Sequence, residues 1–319
     1  VEGKADTASE KIARLADAGI AVAERIEDER QRCGMIDQLD ECRFGPAAEW
    51  VAGSGLLESA SILVLSVVTP PGVPTLPVPI AARLDEDARS AAEQTRAALG
   101  ANGTAAEVRV AQGDAREEIM RMAEEWDADL VVVGSRGLGR AEGFFLGTVS
   151  LAVVRHCTRP VLVVKGRTRT LSSAIVALDG SEHALNALRF FARWPKHANL
   201  TVHMVGVVEP LPFPRTAPSM IRAELQAAVA TAEGDRRKAL EHAFAAARPA
   251  LSVGKITETV TSGDPAGELV RLANENAVDL VVLGARGLGA VQRLLLGSVS
   301  EAVLSDASCA VLIATRPRP

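Results

Sequence analysis

Short runs of β-branched and aliphatic residues alternate with longer stretches of helical period over most of the chain. From residue 173 onward the pattern predicts strands near 173–179, 200–208, 255–261, 279–284 and 309–315, with helices near 182–193, 217–247, 265–276 and 297–306. Ser181, Asp264 and the pair Gly297-Ser298 stand where helices should start. Parallel strands need long crossovers and helices supply them, so the alternation implies a parallel sheet covered on both faces. The preceding residues follow the same order, with strands near 61–68, 105–111, 129–134 and 160–165.

The first 60 residues fit this scheme less well. Ile12, Leu15, Ala16, Gly19, Ala23 and Ile26 recur at helical spacing among Lys11, Arg14, Asp17, Arg25 and Asp28, which predicts an added amphipathic helix over 8–32. The opening strand of the second half, IVALDGS from Ile175 to Ser181, aligns at an offset of 139 only with IDQLDEC from Ile36 to Cys42. Asp37 and Gln38 suit a central strand poorly, and Gly45-Pro46 interrupts the helix that should follow, so this strand reads as degenerate. The expected organisation is a helical extension over 1–33, an α/β domain over 34–168 and a second over 169–319, joined by the short polar stretch GRTRTLS. Pro-rich stretches over 69–79 and 209–218 follow the second strand of each half and read as surface excursions.

The halves are copies of one unit. DADLVVVGSRGLG, beginning at Asp127, matches AVDLVVLGARGLG, beginning at Ala277, at an offset of 150 residues. The same offset pairs Gly113-Asp114 with Gly263-Asp264, Gly147-Thr148 with Gly297-Ser298, and PVLVVK from Pro160 with AVLIAT from Ala310.

Each copy carries a glycine-rich loop with one spacing. The first reads Gly134, two residues, Gly137, nine residues, Gly147, then Thr148; the second reads Gly284, two residues, Gly287, nine residues, Gly297, then Ser298. Each begins at the end of a buried strand and finishes at the start of a helix, the place where open parallel sheets bind ligands. Glycines let backbone N–H groups approach an anion with no Cβ in the way, and a helix N-terminus adds unsatisfied donors and a favourable dipole. Thr148 and Ser298 can add a hydroxyl, and Arg136 and Arg286 a positive charge, to the same phosphates. One short Gly-x-x-Gly would be read as a tight turn. Two full copies in the right strand-to-helix context favour phosphate binding.

Composition narrows the classes. Net charge is −5, with 35 basic and 40 acidic residues interspersed, which gives nucleic acid or an anionic membrane little to bind. No apolar run approaches the ~20 residues a bilayer requires, and the N-terminus lacks a secretory pattern, so the cytoplasm is the expected location. Cys33, Cys42, Cys157 and Cys309 have no metal-ligand spacing and read as reduced thiols, mostly in the core. Gly137, Gly139 and Gly143 give GxGxxxG, but Arg293 replaces the last glycine in the second copy, against a dinucleotide-dependent oxidoreductase. The Gly-Lys-Ser/Thr ending of a P-loop is missing.

The loop spacing, the IVALDGSEHALNAL strand and helix, the Gly-Asp-Pro turn at Gly263 to Pro265 and the LVVLGARGLG strand-loop together resemble the ATP-binding class of universal stress proteins. The resemblance covers residues 60–315, is weak over 34–59 and is absent before that. It implies two tandem doubly wound α/β domains, Rossmann-like and adenine nucleotide alpha hydrolase-like, with ATP, with or without Mg²⁺, held between the glycine loop and the first strand's end. By the family pattern Asp179 lies beside the adenosine, and Gly284, Arg286, Gly287, Gly297 and Ser298 surround ribose and phosphates. Gly134, Arg136, Gly137, Gly147 and Thr148 match in the first half, with Asp40 as the aligned aspartate. The degenerate first strand makes that half the weaker expected site. The resemblance further implies pairing through last strands, hence an internal pseudo-dimer of the halves and room for a homodimer. No nucleophile and base recur in both copies, so a regulator rather than an enzyme is expected, with slow ATP hydrolysis compatible. The alternative is a non-enzymatic interaction and dimerisation module whose nucleotide is structural or absent.

Overall fold

The computed structural model describes residues 19–23, 25–27, 30–32, 46–54, 60–69, 78–100, 106–135, 146–165, 170–194, 199–213, 219–287 and 296–314. The chain divides into two compact units, Val1–Thr170 and Leu171–Pro319.

In the first unit β1 (Gly19–Ala23), β2 (Arg25–Glu27) and β3 (Arg30–Arg32) precede α1 (Pro46–Gly53), β4 (Ile62–Val68), α2 (Val78–Gly100), β5 (Ala106–Gln112), α3 (Ala115–Glu125), β6 (Val131–Gly134), α4 (Thr148–His156) and β7 (Val161–Val164). The sheet order is β5-β4-β1-β6-β7. β4 pairs with β5, and β6 with β7, in parallel. Every residue of β4 is buried, as a strand covered on both faces requires.

The helix expected over 8–32 is not formed in its described part. Residues 19–23 are instead a central strand, antiparallel to both β4 and β6, and Arg25–Glu27 pairs with Arg30–Arg32 as a small hairpin. Residues 8–18 lie outside the described residues, as does the expected first strand over 36–42. Two facts favour the strand. The facing edges of β4 and β6 are buried, so their backbone groups need a partner that a helix cannot provide. Gly19 within a helix would cost about 1 kcal/mol relative to alanine, whereas Ile20 and Val22 alternate as a strand prefers.

The second unit is regular: β8 (Ser173–Ala177), α5 (Glu182–Ala192), β9 (Thr201–Val208), α6 (Ser219–Ala247), β10 (Lys255–Ser262), α7 (Pro265–Glu275), β11 (Leu280–Gly284), α8 (Ser298–Asp306) and β12 (Ala310–Ala314). The order is β10-β9-β8-β11-β12, with all four pairings parallel. The chain therefore reverses its winding between β8 and β11, and a crevice opens there at the carboxyl ends of the strands. At the opposite end the Asp279 carboxylate accepts from Ser172 N, Ser172 Oγ and Ser173 N at 2.8–3.0 Å, fixing the start of β8 against β11. Gly206 lets α6 approach β9, because a Cβ there would meet Leu240 at 3.0 Å and Phe244 at 3.2 Å.

The Gly-Asp pairs shared by the halves are helix starts. Asp114 accepts from Arg116 N at 2.8 Å, and Asp264 from Gly267 N at 2.7 Å ahead of Pro265 in the first turn. The Arg116 side chain hydrogen-bonded to Asp114 holds that carboxyl down at about 2, so this cap persists well below neutral pH. Gly113 (φ 146°) and Gly263 (φ 152°) occupy backbone that a side chain would strain. At the other end of α7, Ala277 sits just past the helix with φ 46°, where glycine or asparagine is usual. Ala277→Gly should stabilise the protein by about 1 kcal/mol, read as a raised midpoint in thermal denaturation followed by circular dichroism.

Candidate functional site

The residues singled out in the second unit converge at its crevice. β8 ends beneath Leu178-Asp179-Gly180-Ser181, a turn that Gly180 permits with φ 84°. Asp179 Oδ1 accepts from Ser181 N at 2.9 Å, and Ser181 Oγ accepts from Ala184 N at 3.2 Å. Asp179 is thereby oriented and the N-terminus of α5 is capped from within. Across the crevice β11 runs out into Ala285-Arg286-Gly287. A Cβ built on Gly287 would lie 2.6 Å from Asp179 Oδ2, so the loop backbone lies close to the carboxylate and a side chain here would displace it. Arg286, half-buried, lies in the same turn.

Gly284 and Gly297 differ in what they do. A Cβ on Gly284 would meet His183 C at 2.6 Å and Ala184 N at 2.8 Å, so this glycine seats the strand end against the first turn of α5. A Cβ on Gly297 would meet Ala285 O at 3.4 Å and the Cα of Arg286 at 3.5 Å, ordinary contacts. Its φ of −78° and ψ of 152° suit any residue. Among the described residues, nothing in the fold requires glycine at 297.

Gly297 is also the N-cap of α8, and among the described residues no side chain caps that helix. Its exposed first residue Ser298 follows at the mouth of the loop. The first turn of α8 therefore presents backbone N–H groups and the positive end of the helix dipole beside the Asp179–Gly287 contact. This is chemistry for an anion joined to a group that donates hydrogen bonds to a carboxylate.

The loop base is built identically in both units. Gly297 N donates to Ala285 O, and Gly147 N to Ser135 O, each at 2.8 Å. Ser300 Oγ donates to Gly284 O at 2.8 Å, and Ser150 Oγ to Gly134 O at 2.6 Å. These two serines were not among the expected site residues. Their signal was present, since both follow the final loop glycine by three positions.

In the first unit Gly134 ends β6, Gly147 caps α4 with no side-chain hydrogen bond, and Thr148 is exposed at its first position. Arg136, Gly137 and Asp40 lie outside the described residues. The strand between β4 and β6 runs antiparallel there, so its carboxyl end points away from Gly134.

Other chemistries have less support. Cys157 is buried, and burial pushes its thiol up to about 11, which keeps it protonated and unreactive at neutral pH. Among the described residues no cluster of three or more His, Cys, Asp or Glu side chains is arranged to hold a metal ion. No described helix is long and apolar enough to cross a membrane.

The universal stress protein family model matches residues 35–165 and again 172–315. A universal stress protein of Synechocystis is 30% identical over 188 residues, covering 58% of this chain and 58% of its own length, so the chain spans less than two thirds of that relative. One of Mycobacterium tuberculosis is 27% identical over 304 residues, covering 88% of this chain and 96% of its own. The crystal structure of a universal stress protein from Archaeoglobus fulgidus superposes with a TM-score of 0.60 at 22% identity, over 85% of this chain and 93% of that one, a likeness of fold. With the family model matched in both of its halves, the chain belongs to the universal stress protein family.

Proposed function

We propose that the protein is an ATP-binding regulator in the stress response, with its principal nucleotide site in the second unit. The observation that carries this reading is Gly297: packing in the described fold does not require a glycine there, yet it stands at a helix start that no described side chain caps, facing the Asp179–Gly287 contact. A missing side chain that packing does not require is explained by a group that must come close from outside. Phosphates fit, because the first turn of α8 offers donors, and Ser298 and Arg286 add a hydroxyl and a charge. Asp179, held by Ser181 N, would accept from the nucleoside. Bound ATP supplies the phosphate charge that these donors neutralise, and the chain's part is to bind and orient it.

The helix-start donors of α8 and the oriented Asp179 carboxylate suit holding a nucleotide more than turning it over. Titration calorimetry with ATP and with NAD, followed by a phosphate-release assay, tests the reading. ATP should bind more tightly than NAD, and release should stay far below the ordinary enzyme range of ~1–1000 per second. Tighter NAD binding, or turnover in that range, would reject it.

A further inference from the structure

The two halves of the site sit on separate elements. The Asp179–Gly287 contact belongs to the ends of β8 and β11, whereas the anion-directed donors belong to the first turn of α8. Nine residues separate Gly287 from Gly297 along the chain. The described links between strand end and helix start are two. One is the backbone bond from Gly297 N to Ala285 O, and the other is the Ser300 hydroxyl on Gly284 O.

Ser300 is placed as a strut. It is 5% exposed and lies in the first turn of α8, where a serine more often bonds its own helix. Here the hydroxyl reaches out of the helix to the last carbonyl of β11, sixteen residues back. Ser150 does the same to Gly134 O and is 4% exposed. The bond is present in both copies.

We propose that Ser300 is a positioning residue of the nucleotide site: its hydroxyl sets the N-terminus of α8 at a fixed height above the end of β11, so that the backbone donors meet phosphate while Asp179 holds the nucleoside. The inference rests on the ATP reading above. Ser300 touches no ligand, and its effect falls on the phosphate end alone.

Titration calorimetry of ATP and of adenosine, with the full chain and its Ser300→Ala and Ser300→Thr variants, separates the cases. Loss of one buried hydrogen bond that orients the donors should weaken ATP binding about five- to tenfold in Ser300→Ala. Adenosine binding should stay within about twofold, because it does not use α8. Ser300→Thr, which keeps the hydroxyl, should restore ATP affinity, and the unchanged adenosine binding of Ser300→Ala is what a simple loss of stability would not produce. If wild type binds ATP and Ser300→Ala binds it equally well, or loses ATP and adenosine alike, the positioning role is wrong and the nucleotide reading stands. If wild type binds no ATP, both fall.

Discussion

Gly297→Val should abolish ATP binding, by at least about 100-fold, or ~2.7 kcal/mol, in a protein that remains folded. The fold can take the side chain at its root. Its Cβ meets Ala285 O and the Cα of Arg286 at 3.4 and 3.5 Å, and the backbone at 297 is extended. Valine at a helix N-cap in place of glycine costs at most about 1 kcal/mol. A ligand phosphate cannot tolerate it, because the branched side chain occupies the approach to the donors of α8. Circular dichroism and thermal denaturation establish folding, and calorimetry reads the loss. A folded Gly297→Val protein that binds ATP like wild type would remove the observation on which the functional reading stands.

Gly284→Val should do the opposite and damage the fold first. The added Cβ would lie 2.6 Å from the His183 carbonyl carbon and 2.8 Å from Ala184 N, both backbone atoms of the α5 first turn, which cannot swing aside as a side chain can. β11 is buried along its whole length, so relief would require moving a central strand or peeling α5 from it. Overpacking of this kind costs about 1–3 kcal/mol when side chains can adjust, and here the upper end or more is expected. Urea denaturation should show the loss as a lower midpoint at unchanged slope. The Gly284 and Gly297 variants therefore fail by different routes, although sequence spacing treats both positions as members of one glycine loop.

That contrast marks what the sequence can convey. The offset of 150 residues exposed the duplication, and the alternating periods anticipated β8 through β12 and α5 through α8 to within two or three residues at each end, because those patterns are local. The Gly-x-x-Gly spacing falls, as its strand-to-helix context implied, at the carboxyl end of β11. Which glycine is needed by packing and which by a ligand was invisible, since it depends on His183 and Asp179, about a hundred residues away in sequence. The Ser300 bond to Gly284 was missed although Ser300 recurs three positions after the final loop glycine, because spacing alone does not show that its hydroxyl leaves the helix for a strand end. β1 was misread for a related reason. Gly19 to Ala23 fits a helical stripe as well as a strand, and only the buried edges of β4 and β6 decide between them.

The antiparallel run of β1 also bears on the proposed number of nucleotide sites. In the second unit the parallel strand β8 delivers Asp179 to the crevice at its carboxyl end. In the first unit the strand beside β6 reaches that edge with its amino end, while Gly134, Gly147 and the Ser150 bond keep the loop base as it is in the second unit. Among its described residues the first unit thus keeps the loop base without a carboxylate at a strand end opposite it. Asp179→Ala should weaken ATP binding by about 1–3 kcal/mol, as expected for loss of a charge-assisted hydrogen bond.

The most direct test of the central claim is the calorimetric stoichiometry of ATP on the full chain, measured for wild type, Gly147→Val and Gly297→Val. Wild type should bind one ATP tightly per chain, Gly147→Val should keep that site, and Gly297→Val should lose it. Two equivalent tight sites in wild type, or loss of the tight site in a folded Gly147→Val protein while Gly297→Val retains it, would contradict the assignment of nucleotide binding to the second unit.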